Sequence, residues 1–90
     1  MIRLTGRLIC ANAAEAALVQ AHLPEHIART RAEPGRLSFT VEPAADLVWT
    51  VAEDFVDRAA FAAHQARVQA SDWGRATREI RRDYAITETP

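Results

Sequence analysis

The sequence predicts an α+β fold in which an antiparallel sheet carries its helices on one face. Three observations predict it. Short stretches of alternating apolar residues stand at both ends of the chain and in its middle. An alanine-rich stretch with near-helical apolar spacing follows the first of them, and another follows the middle pair. The resulting order, β-α-β-β-α-(α)-β, suits an arrangement of the split β-α-β type.

The elements follow in order. "IRLTGRLICA" alternates in part and reads as a first strand from Ile2 to about Ala11. Asn12 can cap the helix that follows, from Ala13 to about Arg31, where Ala14, Leu18, Ala21 and Ile27 lie close to helical spacing. Pro24 lacks an amide hydrogen and crowds the preceding turn, so a kink or the start of a new turn is expected there. "EPG", Glu33 to Gly35, ends the helical section. In "RLSFTVE" the alternation puts Leu37, Phe39 and Val41 on one face, and in "LVWTVAEDF" it groups Trp49, Val51, Glu53 and Phe55. The connecting "PAAD" is short enough for a hairpin. Asp57 is the expected cap of a second helix through about Gln69, and Ser71 of a third through about Arg81. "RDYAITE" closes the chain as a strand with Tyr84 and Ile86 on a common face.

The 90 residues carry a formal net charge of −1 and a pI near 6.3, as expected of one soluble domain spanning residues 1–90. So small a domain hides about 60–65% of its unfolded surface, so association with a partner is expected. The weakly polar Val48, Thr50 and Ala52 on the far side of the third strand point to a second subunit against the sheet. The lone Cys10 excludes an intrachain disulfide framework and suits a reducing cytoplasm. Its default role is that of a small buried apolar residue. Arg3 and Arg7 divide the only apolar run near the N-terminus, so neither signal peptide nor membrane span is expected. The balanced charge gives no basic footprint for nucleic acid or anionic membrane.

The segments "RAEPGRLSFTV" and "VWTVAEDFVDRAAFAAH", with a C-terminal helix leading into a final strand, resemble the antibiotic biosynthesis monooxygenase domain, also found in small quinol monooxygenases. The resemblance spans nearly the whole chain. It implies a ferredoxin-like sheet, a dimeric α+β barrel formed by two sheets packing face to face, and a small-molecule pocket between each sheet and its helices. In the family a Glu-x-aromatic unit ends a strand, an Asp-rich turn follows, and the next helix carries an inward histidine. Glu53, Phe55, Asp57 and His64 match those positions. Some members oxidise phenols or quinols with molecular oxygen and no prosthetic group, and others degrade haem. The haem-degrading pattern needs an asparagine on the first strand, and the region around Gly6 offers none. Arg36 also stands where many members have cysteine, and Phe55 where many have tryptophan.

His64 follows Phe61 by three residues and precedes Val68 by four, so the three share a helix face and His64 points inward. Two readings remain open: a quiet core histidine hydrogen-bonded to a group such as Glu53, or a base acting on a phenolic hydroxyl. Oxygen reacts far more readily with a phenolate or carbanion than with the neutral phenol, so an oxygenase without a cofactor must remove a proton and stabilise the anion. His64 is the expected base, with Tyr84 and Arg7 the candidates to hold the charge. Trp49, Trp73, Phe55 and Phe61 are the expected aromatic walls, with Glu53 and a rim residue, His26, completing the substrate-binding set.

Two other motifs carry less. "HLPEH", His22 to His26, matches an H-x-x-E-H metal pattern, but Pro24 disturbs the alignment and no metal is expected. "WGRATREIRRDY" would bury Trp73, Thr77 and Ile80 and turn Arg75, Arg78, Arg81 and Arg82 to solvent. Gly74 permits a close backbone approach or loosens the segment. The functional expectation is a homodimeric, cofactor-independent monooxygenase acting on a small aromatic phenol or quinol. The alternatives are a non-enzymatic dimeric module binding a small ligand, and a diverged fold whose pocket Trp49, Trp73 and Phe55 fill.

Overall fold

The structure, a computed structural model, describes residues 1–90. Strand β1 spans Ile2–Ile9, helix α1 Ala13–Arg31, β2 Arg36–Ala45, β3 Val48–Phe55, α2 Arg58–Ala70, α3 Asp72–Ala76 and β4 Arg81–Glu88. The four strands form one antiparallel sheet in the order β2-β3-β1-β4. With its helices on one face, this is the α+β, ferredoxin-like architecture expected from the sequence.

Both long helices start where the sequence puts a cap. The Asn12 side chain accepts from the Glu15 amide at 2.9 Å, and Glu15 in turn accepts from the Ala11 amide at 2.7 Å. Asp57 accepts from the Ala60 amide at 2.8 Å, and Ser71 from the Gly74 amide at 3.0 Å. Helix α1 runs unbroken through Pro24, which lies on its exposed side, where water can satisfy the carbonyl the proline cannot bond. No helix is long and apolar enough to cross a membrane.

Two strands depart from simple alternation. A bulge between Arg36 and Ser38 takes Leu37 out of the pairing with β3, so Leu37 is 54% exposed and only Phe39 and Val41 of the expected trio face the helices. The hairpin is tighter than the "PAAD" reading: β2 runs to Ala45, and Asp46 and Leu47 make the turn, Leu47 at φ 66°.

The third helix is much shorter than expected, ending at Ala76 rather than near Arg81. Thr77 closes it by bonding its amide and hydroxyl to the Trp73 carbonyl at 3.0 and 2.6 Å. The Arg82 guanidinium then donates to the Thr77 and Ile80 carbonyls at 2.8 and 3.0 Å, satisfying groups that a longer helix would have used. Trp73, Thr77 and Ile80 are nevertheless buried, as their stripe predicts. Gly74 marks a close approach: a Cβ there would lie 1.9 Å from the Val68 carbonyl oxygen.

The core lies between sheet and helices. Leu4, Leu8, Trp49 and Val51 from the sheet pack with Val19 of α1 and with Trp73 and Ile80, and Cys10 joins them as a buried free thiol. The opposite sheet face includes the short Thr5, Thr40, Thr50 and Ala52, and is crossed by the ion pairs Arg3–Asp54 and Arg7–Asp83 at 2.8 and 2.9 Å.

Candidate functional site

Residues facing the helices from β1, β2, β3 and β4 meet residues from α1, α2 and α3 around a cavity of about 60 Å³. The strand period delivers Glu53 from β3 and Tyr84 from β4 to this face. The helix period delivers His26 from α1 and His64 from α2, and Trp73 closes the wall from α3.

His64 is 2% exposed and hydrogen-bonded at one ring nitrogen, Nδ1. Its Nδ1 lies 2.7 Å from Oε1 of Glu33, and its Nε2 lies 3.6 Å from Oε2 of Glu53. Arg67, one turn further along α2, clamps Glu33 through Nε at 3.2 Å and Nη2 at 3.3 Å, and reaches the Thr30 hydroxyl at 3.1 Å. Burial raises the Glu33 pKa, but the hydrogen bonds from Arg67 and His64 outweigh it and hold the carboxyl below its ordinary value. Glu33 is therefore an anion, and an ionised carboxylate can only accept. The proton shared with Glu33 accordingly resides on His64 Nδ1, which leaves the Nε2 lone pair facing Glu53.

Burial pulls the His64 pKa down further than the Glu33 hydrogen bond and charge push it up, so the ring is neutral near pH 7. Glu53 moves the other way. Burial, then the negative charge of Glu33, raises it from 4.5 to about 7. A neutral imidazole lone pair and a carboxyl that exchanges its proton near neutrality thus face one another at the cavity. Such a pair can accept a proton from a bound hydroxyl and return it.

The remaining walls are aromatic. Trp73 stacks on His26 with ring centroids 4.5 Å apart and planes 6° from parallel, and Phe39 meets His26 edge-on at 5.4 Å. The His26 pKa is pushed down to about 3, first by burial and then by the nearby His64, Arg67 and Arg82. It is a neutral wall residue with its Nδ1 unbonded, rather than the rim residue expected. Burial pushes the Tyr84 hydroxyl up against the pull of the Arg82 charge, so Tyr84 remains a donor.

The cavity therefore unites His64, Glu53, Tyr84, Trp73 and His26, and it omits four of the residues expected from the sequence, by position rather than by type. Arg7 lies on the opposite sheet face, 55% exposed and paired with Asp83, because odd-numbered residues of β1 point away from the helices. Trp49 is core at the other end of the sheet. Phe55 sits behind His64, ring centroids 4.8 Å apart, and Phe61 packs on Phe55 at 5.6 Å, outside the cavity. The "EPG" turn conceals Glu33, and the supposed solvent face of "WGRATREIRRDY" conceals Arg82. Arg82 precedes Tyr84 by two residues on one strand, and that spacing alone assigns both to the same face.

No protein-family model matches the chain, and no curated protein matches it in sequence. Solved structures do match. The chain superposes on SnoaB, a cofactor-independent oxygenase from Streptomyces nogalater, with TM-score 0.78 and 14% identity over 99% of this chain and 92% of that one. It matches a protein from Nitrosomonas europaea provisionally named an antibiotic biosynthesis monooxygenase with TM-score 0.75 and 16% identity, covering 99% and 98% of the two chains. A conserved protein from Methanosarcina mazei Go1 gives TM-score 0.75 and 15% identity, with 99% and 92% covered. The chain thus has the fold of the antibiotic biosynthesis monooxygenases.

Proposed function

We propose that this protein is a cofactor-independent monooxygenase that oxidises a small aromatic phenol or quinol with molecular oxygen. One observation carries the reading: His64, its Nδ1 bonded to an ionised Glu33, presents a free Nε2 lone pair beside Glu53 at an aromatic-walled cavity. The shared fold with a named cofactor-independent oxygenase supports it.

His64 Nε2 takes the phenolic proton, Glu33 stabilises the imidazolium that forms, and the Tyr84 hydroxyl faces the developing phenolate. The electron-rich ring then reduces oxygen. For hydroquinone the balance is hydroquinone plus O₂ giving hydroxybenzoquinone plus water, one oxygen atom entering the ring and the other leaving as water. Glu53 supplies and recovers the proton that the peroxidic oxygen needs to depart.

The cavity sets the size of the substrate. A cavity of about 150 Å³ is what a buried benzene occupies, against about 60 Å³ here. A single ring enters the enclosed part only with movement of a wall residue.

The homodimer forms through the sheet faces turned away from the helices. Thr5, Thr40, Thr50 and Ala52 are short enough for two sheets to approach closely, and the Arg3–Asp54 and Arg7–Asp83 pairs neutralise their own charges there. Oxygen uptake with single-ring hydroquinones tests the activity. His64→Ala is expected to lower turnover at least about 100-fold. Undiminished turnover in that variant removes the role of His64, and saturable binding without oxygen uptake selects the binding module. Light scattering tests the dimer, a mass near 10.0 kDa speaking against it.

A further inference from the structure

The cavity does not end at its mouth. Gln65, Val68 and Arg82 line both the cavity and an open groove of about 540 Å³ outside it, which continues over Gln69, Gly74 and Arg78. The tight contact of Gly74 with the Val68 carbonyl leaves no side chain there to cover the groove floor.

The charged groups of this groove are two arginines, with no acid among its lining residues. Arg3, Arg7, Arg29, Arg58, Arg67 and Arg75 each have a carboxylate partner; Arg31, Arg36, Arg78, Arg81 and Arg82 do not, and of these only Arg78 and Arg82 line the groove. Arg82 is nonetheless fixed in place. Its Nη1 donates to the Thr77 and Ile80 carbonyls and its Nη2 to the Thr77 hydroxyl at 2.8 Å, which leaves two N–H groups of the fork beside the Tyr84 hydroxyl. A guanidinium that is oriented, unpaired by an acid and placed where a cavity opens has the geometry that recognises a carboxylate. Inside the cavity, His26 adds no charge and an unbonded buried Nδ1.

We infer that the ligand is an aromatic acid: its ring occupies the cavity beside His64 and Glu53, and its carboxylate lies in the groove against Arg82 and Arg78. The inference deepens the function proposed above and rests on it for the phenolic character of the ring. The carboxylate is not adjacent to the hydroxyl that meets His64, as in gentisate relative to its 5-hydroxyl, because Arg82 lines the mouth and His64 the cavity wall.

The test is anaerobic titration calorimetry at neutral pH with gentisate, a hydroquinone bearing a ring carboxylate, with its methyl ester and with plain hydroquinone. Gentisate is expected to bind about tenfold more tightly than the ester, the preference shrinking at high salt. Arg78 is exposed and unpaired, so Arg78→Gln folds normally, and it is expected to remove about half of that preference in free-energy terms, close to threefold in affinity. Equal affinity for acid and ester, no binding of any of the three, or a preference unchanged in Arg78→Gln overturns the inference. The two proposals fail separately. Acid-selective binding without aerobic oxygen uptake removes the oxygenase alone, and oxygen uptake with no acid preference removes the aromatic acid alone.

Discussion

Replacing Glu53 by glutamine should stabilise the protein at alkaline pH and leave it nearly unchanged in acid. Glu53 is 5% exposed, and burial with the Glu33 charge raises its pKa from 4.5 to about 7. Between those values the folded protein holds a proton that the unfolded chain has released, so folding loses stability as pH rises through the window. The penalty is absent below the unfolded value and complete above the folded one. At roughly 1.4 kcal/mol per pH unit it reaches about 3 kcal/mol. A glutamine at this position cannot ionise and keeps nearly the same shape. The gain of Glu53→Gln at pH 8 minus its gain at pH 4 should therefore be about 3 kcal/mol, a difference in which any packing change cancels. Urea unfolding followed by the fluorescence of the buried Trp49 and Trp73 reads both values. A pH-independent difference, or one of opposite sign, would refute the claim that Glu53 is kept as an acid by its surroundings.

Glu33→Gln removes the anion that sets the His64 tautomer while Arg67 loses its partner, so kcat should fall about 10²- to 10⁴-fold with a smaller change in KM, measured by oxygen uptake. His26 behaves opposite to Glu53: its pKa falls to about 3, so the wild type loses stability as pH drops from 6.5 towards 3. His26→Phe should flatten that acid limb in urea titrations at successive pH values, and an unchanged limb argues against a neutral His26. Gly74→Ala drives a methyl group into the Val68 carbonyl and should destabilise by about 1–3 kcal/mol in the same assay.

Much of the scaffold is legible because it rests on short-range rules. Asn12 and Asp57 cap their helices through amides three residues away, and the helical spacing of Phe61, His64 and Val68 places His64 inward. Where local rules compete, they mislead. Leu37 continues an alternation that the bulge interrupts, and the residues after Ala76 continue a helical stripe that Thr77 and Arg82 terminate. The site is half legible for the same reason. Glu53, Tyr84 and His64 follow from strand and helix phase, whereas Glu33 meets His64 across 31 residues of chain and reads locally as part of a turn. Arg82 takes the place expected for Arg7: the phase of β1 turns Arg7 away from the helices, while Arg82, read locally as one of a solvated run, shares the face of Tyr84.

The order of strands and helices, the caps and the inward side of each element are properties of neighbouring residues, and they follow from the amino-acid sequence alone. Which carboxylate grips His64, which arginine guards the cavity, and whether Glu53 or His26 carries a charge at neutral pH are settled by contacts between distant segments. Each depends on the register that sets β1 between β3 and β4, on the packing of α1 and α2 over that sheet, and on the water their contact excludes.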